Sequence, residues 1–410
     1  MARSGFLIGR IARLAVSLAV VVGSVALPCV YAQDAVRPEI GKPLQAANAL
    51  IKSGKFKDAL AKIREVDGVP NKTANETYLI ESTRGSAASG AGENDTIIRS
   101  FEAVVASGKA PAATQLKLVE ALAGAHYRAK DYAATNKWAT RYLREGGGNQ
   151  QIRTLLIQSY FQAGDYTNSA KESLIDIQAD EKAGRTPSEE KLQLLANSYL
   201  RQKNTNGYIA TIEKLLNYYP KKSLWADVIS RLQRKPGFSD RLALDVYRMQ
   251  LATGNLTATD DYIVMPQLAL QAGFPGEAKK VIDEGYANGA LGKGADVERQ
   301  KRLRDLVEKR VVENQKIIAD GTAEAAAKDG NAQVILGYNL FTSGQVQKGI
   351  GLMEAGIKKG DLKRPDDAKL RLGTALIQSG QKAKGAQVLK SVQGSDGTQD
   401  LANLWVIFAR

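Results

Sequence analysis

Ala129-Lys130-Asp131-Tyr132-Ala133-Ala134 is followed by Ala163-Gly164-Asp165-Tyr166, with the turn residues Lys130 and Gly164 34 positions apart. The same figure appears earlier as Ser53-Gly54-Lys55-Phe56-Lys57-Asp58-Ala59. It returns later as Ala272-Gly273-Phe274-Pro275-Gly276-Glu277-Ala278, Ser343-Gly344-Gln345-Val346 and Ser379-Gly380-Gln381-Lys382. Each copy reads as a helix that stops at a small or polar turn, then an apolar residue and a small one that open a second helix. A recurrence of a few tens of residues is the mark of a repeat architecture. The turn positions are Gly54, Gly90, Lys130, Gly164, Lys203, Gly237, Gly273, Gly344 and Gly380, mostly 34 to 40 residues apart. The last long gap, 71 residues between Gly273 and Gly344, has room for one diverged unit.

A helix–turn–helix period near 34 resembles the tetratricopeptide repeat family. Leu336-Gly337 and Leu372-Gly373 stand at that family's Leu-Gly spacing before Gly344 and Gly380, and Asn217-Tyr218-Tyr219-Pro220 resembles its proline exit. The sequence also departs from the pattern. The family's Trp is missing from most units, Thr135 and Ser169 stand where Ala is expected, Gly349 and Gly385 do so in the last two units, and Pro266 falls inside a predicted helix. The resemblance implies an all-α, right-handed α-solenoid. It divides the chain into 33–294 as a first array, 295–329 as a long charged helix or diverged repeat, 330–393 as further repeats and 394–410 as a terminal helix. That last helix carries Trp405, Ile407 and Phe408. It either caps the final repeat, whose core would otherwise be open, or docks on a partner.

Residues 1–32 precede the repeats. Arg3, Arg10 and Arg13 stand without any acid, an apolar run covers 14–27, and Val30-Tyr31-Ala32 offers a small residue before a cut. This is the layout of a secretory signal peptide, and it predicts an exported, periplasmic protein cleaved after Ala32. Cys29 invites a lipid-anchor reading, but Pro28 directly before it fits that poorly. Cleavage would remove the chain's one cysteine and three of its cations, leaving +11 of the formal +14.

The composition speaks against chemistry. One Cys and one His cannot form a Cys/His zinc site, so neither a metal nor a cofactor is expected. His126 falls where later units have Tyr160 and Tyr199, a packing position, and it has no Ser or Cys partner at a recognisable spacing. No phosphate-loop, dinucleotide or HExxH motif is present. The acid pairs Glu189-Glu190 and Asp260-Asp261 stand at expected helix starts, where the dipole favours them. The chain therefore reads as a binding protein and not as an enzyme.

With each turn residue set as place fifteen, the resemblance turns places nine and thirteen of the first helices toward a concave surface. Place nine holds Asn48, Gly124, Gln158, Asn197, Gln267, Tyr338 and Thr374; place thirteen holds Lys52, Arg128, Gln162, Arg201, Gln271, Thr342 and Gln378. Neither set contains an acid. The candidate groove residues are Asn48, Lys52, Arg128, Gln158, Gln162, Asn197, Arg201, Gln267 and Gln271. Amides and cations of this kind hydrogen-bond an extended peptide backbone and its carboxylates. The expected partner is a protein or peptide, in an envelope assembly. The alternative is an anionic glycan or lipid of the envelope, attracted by the net charge, with the protein peripheral to the membrane at most. The run Arg299-Gln300-Lys301-Arg302-Leu303-Arg304 resembles a nucleic-acid patch in isolation. Pairs such as Glu298 with Arg302 and Asp305 with Lys309 would make it an ordinary solvated face, and no nucleic-acid partner is expected.

Overall fold

A short amphipathic helix cannot bury its apolar face alone. In this protein each one folds back on its neighbour. The computed structural model describes residues 36–410, so the signal segment, Cys29 and the cut after Ala32 lie outside the described residues. Among the described residues all regular structure is helical. The chain divides into two compact units, one ending at Ala179 and one running from Asp180 to Arg410.

The first unit contains α1 (Pro38–Lys52) with α2 (Phe56–Arg64), α3 (Ala74–Ala91) with α4 (Asn94–Ala106), and α5 (Ala112–Arg128) with α6 (Tyr132–Arg144). It continues with α7 (Gln150–Gln162) and enters α8 (Tyr166–Lys182). Consecutive helices pack as hairpins, each hairpin packs on the next, and α1 meets α3 as α5 meets α7. Gly54, Lys130 and Gly164 take positive φ at the hairpin turns, 75°, 61° and 80°. The second turn differs from the sequence reading: Gly92, at φ 74°, ends α3, while Gly90 lies inside that helix. A Cβ on Gly90 would overlap the Phe56 ring. Gly90 is thus small because α2 packs on the α3 backbone there, not because the chain turns.

Ile40, Leu44, Ile63, Ile80, Phe101, Leu122, Trp138, Ile152 and Leu156 form one continuous core in this unit. Thr135 and Ser169 are fully buried in the places expected for Ala. Their hydroxyls donate to the carbonyls of Asp131 (2.7 Å) and Ile157 (3.2 Å), so burial leaves no unmade bond. The start of α1 is fastened by Glu76. Its carboxylate receives Arg37 Nε and Nη2 at 3.0 and 2.9 Å and completes a capping box with Thr73. These bonds, Arg37 first, hold its carboxyl down at about 2.

The second unit contains α9 (Glu189–Arg201) with α10 (Thr205–Tyr218), and α11 (Lys222–Gln233) with α12 (Ala243–Ala252), joined through a 3₁₀ turn at Asp240–Leu242. Next come α13 (Asp261–Gln271) with α14 (Pro275–Ala287), then α15 (Val297–Ala319) and the single-turn α16 (Thr322–Ala326). The last elements are α17 (Gly330–Thr342) with α18 (Val346–Lys359), α19 (Pro365–Gln378) with α20 (Lys382–Leu389), and α21 (Thr398–Phe408). Pro266 neither ends nor restarts α13. It is the middle residue of an eleven-residue helix and removes a single backbone bond. The long gap between Gly273 and Gly344 holds α15 and α16, a long helix with only a vestigial second one.

Helices α17 and α18 meet backbone to backbone. A Cβ on Gly349 would overlap the Gly337 carbonyl and the Phe341 backbone, and Gly356 faces Gly330 in the same way. Gly385 opposes Gly373 between α19 and α20. Glycine replaces alanine in these two units because the helices approach too closely for a methyl group.

The terminal helix α21 is covered within its own unit. It packs on α19 and α20 and also on α10 and α12. Trp405 is 1% exposed, and the Phe408 ring stands edge-on to Trp405 (5.4 Å) and to Trp225 of α11 (6.2 Å). Lys235 binds Asp400 at 2.9 Å, Ser239 N donates to the Asp396 carbonyl at 2.9 Å, and the Phe238 ring occupies the space beside Gly397. The helix is both a cap for the last hairpin and a brace to helices far earlier in the chain.

Gly349→Ala should lower the thermal stability of the second unit by about 1–3 kcal/mol, the cost of overpacking against backbone. Gly351→Ala, on the open face of the same helix, should be neutral or stabilising by up to about 1 kcal/mol. Calorimetry of the two variants checks both.

Candidate functional site

In the first unit the candidate residues divide by exposure. Asn48, Lys52, Arg128 and Gln162 are exposed and Gln158 is half-buried. Two of them are held by neighbours. Arg128 Nε donates to Asn94 Oδ1 at the start of α4 (2.8 Å), and Gln158 Oε1 accepts from the Tyr127 hydroxyl on α5 (3.1 Å). Asn48, Lys52 and Gln162 make no side-chain bond among the described residues. Beside them runs a feature the register of places did not sample. Tyr127 packs edge-on to Tyr132 (5.9 Å), and Phe161 packs edge-on to Tyr166 (5.2 Å). These pairs sit at equivalent turns of successive hairpins and leave half-buried rings next to Gln158 and Gln162. Tyr132 and Tyr166 were visible in the sequence as the apolar residue after each turn. Their partners were not, because they sit one residue before the sampled place thirteen.

His126 is 6% exposed, with Nε2 3.3 Å from Glu102 Oε1 and Nδ1 3.5 Å from Asp131 Oδ2. It packs between α4 and the α5–α6 turn.

In the second unit Asn197 and Gln267 are half-buried and Arg201 and Gln271 exposed, and none makes a side-chain bond among the described residues. The other two place-nine residues lie in the interior: Tyr338 is 1% exposed and Thr374 3%. Thr374 Oγ1 donates to the Leu370 carbonyl of its own helix. An acid-free surface therefore does not extend along this unit. Its interior is built on acids that places nine and thirteen do not include.

Arg248, 3% exposed, forms two parallel 2.7 Å bonds to Glu277 and a third to Asp245. Its guanidinium faces the Tyr338 and Phe274 rings at 4.5 and 5.5 Å, and the Tyr338 hydroxyl donates to Glu277 Oε1. Burial works most strongly against the Arg248 charge, but Glu277, Tyr338 and Asp245 together outweigh it and raise this group well above the usual range. Arg371 stacks on the same two rings from α19, and its Nε has no hydrogen-bond partner. Burial, then the nearby Arg248, lowers the Arg371 pKa. Arg241 joins this group to the terminal segment through Asp367 (2.9 Å) and Asp396 (2.5 Å). Asp245 with Arg248 and Asp367 with Arg371 are three and four residues apart on helices, a spacing that puts each pair on one face. What the sequence could not supply was the convergence of α12, α14, α17 and α19 on one point. Among the described residues no group of three His, Cys, Asp or Glu side chains is placed to hold a metal ion, and no helix is long and apolar enough to cross a membrane.

The architecture is an all-α array of consecutive helical hairpins. No protein-family model matches the chain, and no characterised protein matches it in sequence. Solved structures similar to it include Naa15/Naa10 bound to HypK-THB, at 14% identity and TM-score 0.32, covering 88% of this chain and 63% of that one. The maize pentatricopeptide repeat protein PPR10 follows at 12% identity and TM-score 0.29, covering 88% and 60%. The P58(IPK) TPR domain aligns at 14% identity and TM-score 0.22, covering 90% and 97%. This chain spans only about three fifths of the first two.

Glu213 of α10 gives the brace on α21 a pH dependence. Burial first, and then Asp400, push its carboxyl up to about 7, with Lys235 opposing. Because the folded value lies above the free one, the contribution of Glu213 to stability is full below about pH 4.5 and is lost as pH rises through 7. Glu213→Gln should remove that fall and stabilise the second unit at pH 8 by on the order of 2 kcal/mol. In a Trp138→Phe background the remaining tryptophans, Trp225 and Trp405, lie in the second unit, so urea titrations at pH 5 and pH 8 followed by fluorescence check it. Equal pH dependence in the variant and its parent would refute it.

Proposed function

We propose that the protein is an exported, periplasmic adaptor that binds an extended segment of a protein partner along the first helices of its first unit, within an envelope assembly. The observation that carries this reading is the row on α5 and α7. There exposed Arg128 and Gln162, half-buried Gln158 and the Tyr127 and Phe161 rings stand side by side without an acid at the sampled places. Amides pair with both donors and acceptors of an extended backbone, a guanidinium takes a carboxylate in two bonds, and aromatic faces give apolar area at low entropy cost. Asn48 and Lys52 continue the same chemistry on α1. In the second unit Asn197, Arg201, Gln267 and Gln271 offer shorter stretches of it. The interior around Arg248 is occupied by its own ion pairs, and catalysis forms no part of this reading. Export rests on the N-terminal layout of basic, apolar and small-residue segments.

Two measurements test it. N-terminal sequencing of the exported form should begin at Gln33; a lipid mass on Cys29 would contradict this. Affinity capture by the exported protein should recover a defined envelope protein. Arg128→Glu should weaken that capture at least tenfold, about 1.4 kcal/mol or more, while Arg144→Glu on α6 leaves it unchanged. Equal capture by the wild type and Arg128→Glu would overturn the assignment to the first unit.

A further inference from the structure

Helix α15 stands where a full hairpin would complete the array. Its buried face is narrow: Gln300, Leu303 and Val307 pack toward α13 and α14, and Asn314 reaches Asn339 and Ser343 of the next hairpin. Because α16 is a single turn, no second helix covers the far side.

That far side carries five free cations against two free acids, Glu298 and Asp305, among the described residues. The expected pairs Glu298–Arg302 and Asp305–Lys309 do not form. The pairs present are Arg304–Glu308 at 3.2 Å and Arg310–Glu313 at 3.0 Å. Arg304 also stacks on Tyr286 at 4.9 Å. Arg299, Lys301, Arg302, Lys309 and Lys316 are exposed and make no ion pair among the described residues. At 100° per residue these five span about 160° of the helix circumference. Leu306 and Ile317, 43% and 46% exposed, lie on nearly the same line as Arg299 and Arg302, about 16 Å apart along the axis.

We propose that α15 is a docking site for an anionic phospholipid surface. Arg299, Arg302 and Lys309 meet headgroup phosphates, and Leu306 and Ile317 enter the layer between them. Charge complementarity selects the phosphate plane, since guanidinium and ammonium groups bind its oxygens directly. The breadth of the charged arc selects a planar surface over a protein helix. A helix partner needs aliphatic residues at successive turns along one ridge, whereas here Leu306, Val312 and Ile317 are spread over about 140° of the helix circumference among long cations. A surface of headgroups asks only for several cations facing one way and apolar side chains that can enter. This inference stands apart from the peptide-binding reading of the first unit, and its failure would leave that reading untouched.

The test is flotation of the full exported chain with vesicles of phosphatidylcholine alone or with about 30% phosphatidylglycerol, in about 0.1 M salt. The anionic vesicles should bind at least tenfold more strongly. Arg299→Glu/Arg302→Glu/Lys309→Glu should reduce binding to the level of phosphatidylcholine. Lys55→Glu/Lys57→Glu/Lys390→Glu makes the same change in net charge elsewhere on the surface and should stay within threefold of wild type. Leu306→Ser/Ile317→Ser should weaken binding at least threefold with the salt dependence preserved. Equal losses in the two charge-reversal variants would reduce the effect to the diffuse field of a basic protein and overturn the proposal. So would equal binding to both vesicles, an unchanged Leu306→Ser/Ile317→Ser variant, or capture of an acidic polypeptide by α15 without vesicle binding.

Discussion

Each hairpin depends on one backbone constraint: a residue just past the end of its first helix must adopt positive φ so that the chain reverses within a few atoms. Glycine does this without penalty, while a side chain there costs about 1–2 kcal/mol. Gly54, Gly164, Gly273, Gly344 and Gly380 meet the constraint easily, and Lys130 and Lys203 meet it at φ 61° and 58°. Once the reversal is made, the faces of the two helices are fixed against each other, and the small residues across the seam decide how close they come. Alanine serves in two hairpins, at Ala59 and Ala278, and buried Thr135 and Ser169 in two others. In the last two, glycine opposite glycine lets backbones touch.

The turn residues and apolar spacing made the fold class legible without coordinates. Where the reading slipped, the cause was a residue type that serves two purposes. Gly90 has the appearance of a turn but is small because Phe56 packs on it; the turn belongs to Gly92. Pro266 has the appearance of a break, but in the middle of a short helix held by its neighbours its missing N–H costs one bond. The apolar terminal helix suggested either a cap or a surface for a partner, and the answer depended on contacts more than 150 residues apart, such as Lys235 with Asp400. No local pattern encodes such a meeting.

The candidate surface was legible only in part, for the same reason. A repeat register states which way a side chain is expected to point along one hairpin; the bonds of Gln158 to Tyr127 and of Arg128 to Asn94 come from the structure. It said nothing of which helices converge. The Arg248–Glu277 pair, Arg371 and the Tyr338 ring come from α12, α14, α17 and α19, and together they fill the interior of the second unit with charge. Taking one partner from such a pair would leave a buried charge uncompensated, which suits a structural role for this group better than a ligand site.

The most direct test of the account places a photo-crosslinking residue at Gln158 of the exported protein in cells, with Thr140 on the neighbouring α6 as the comparison position. The account predicts a discrete crosslinked protein from position 158 and none from position 140. Crosslinks of equal yield and identity from both positions, or from position 140 alone, would contradict it.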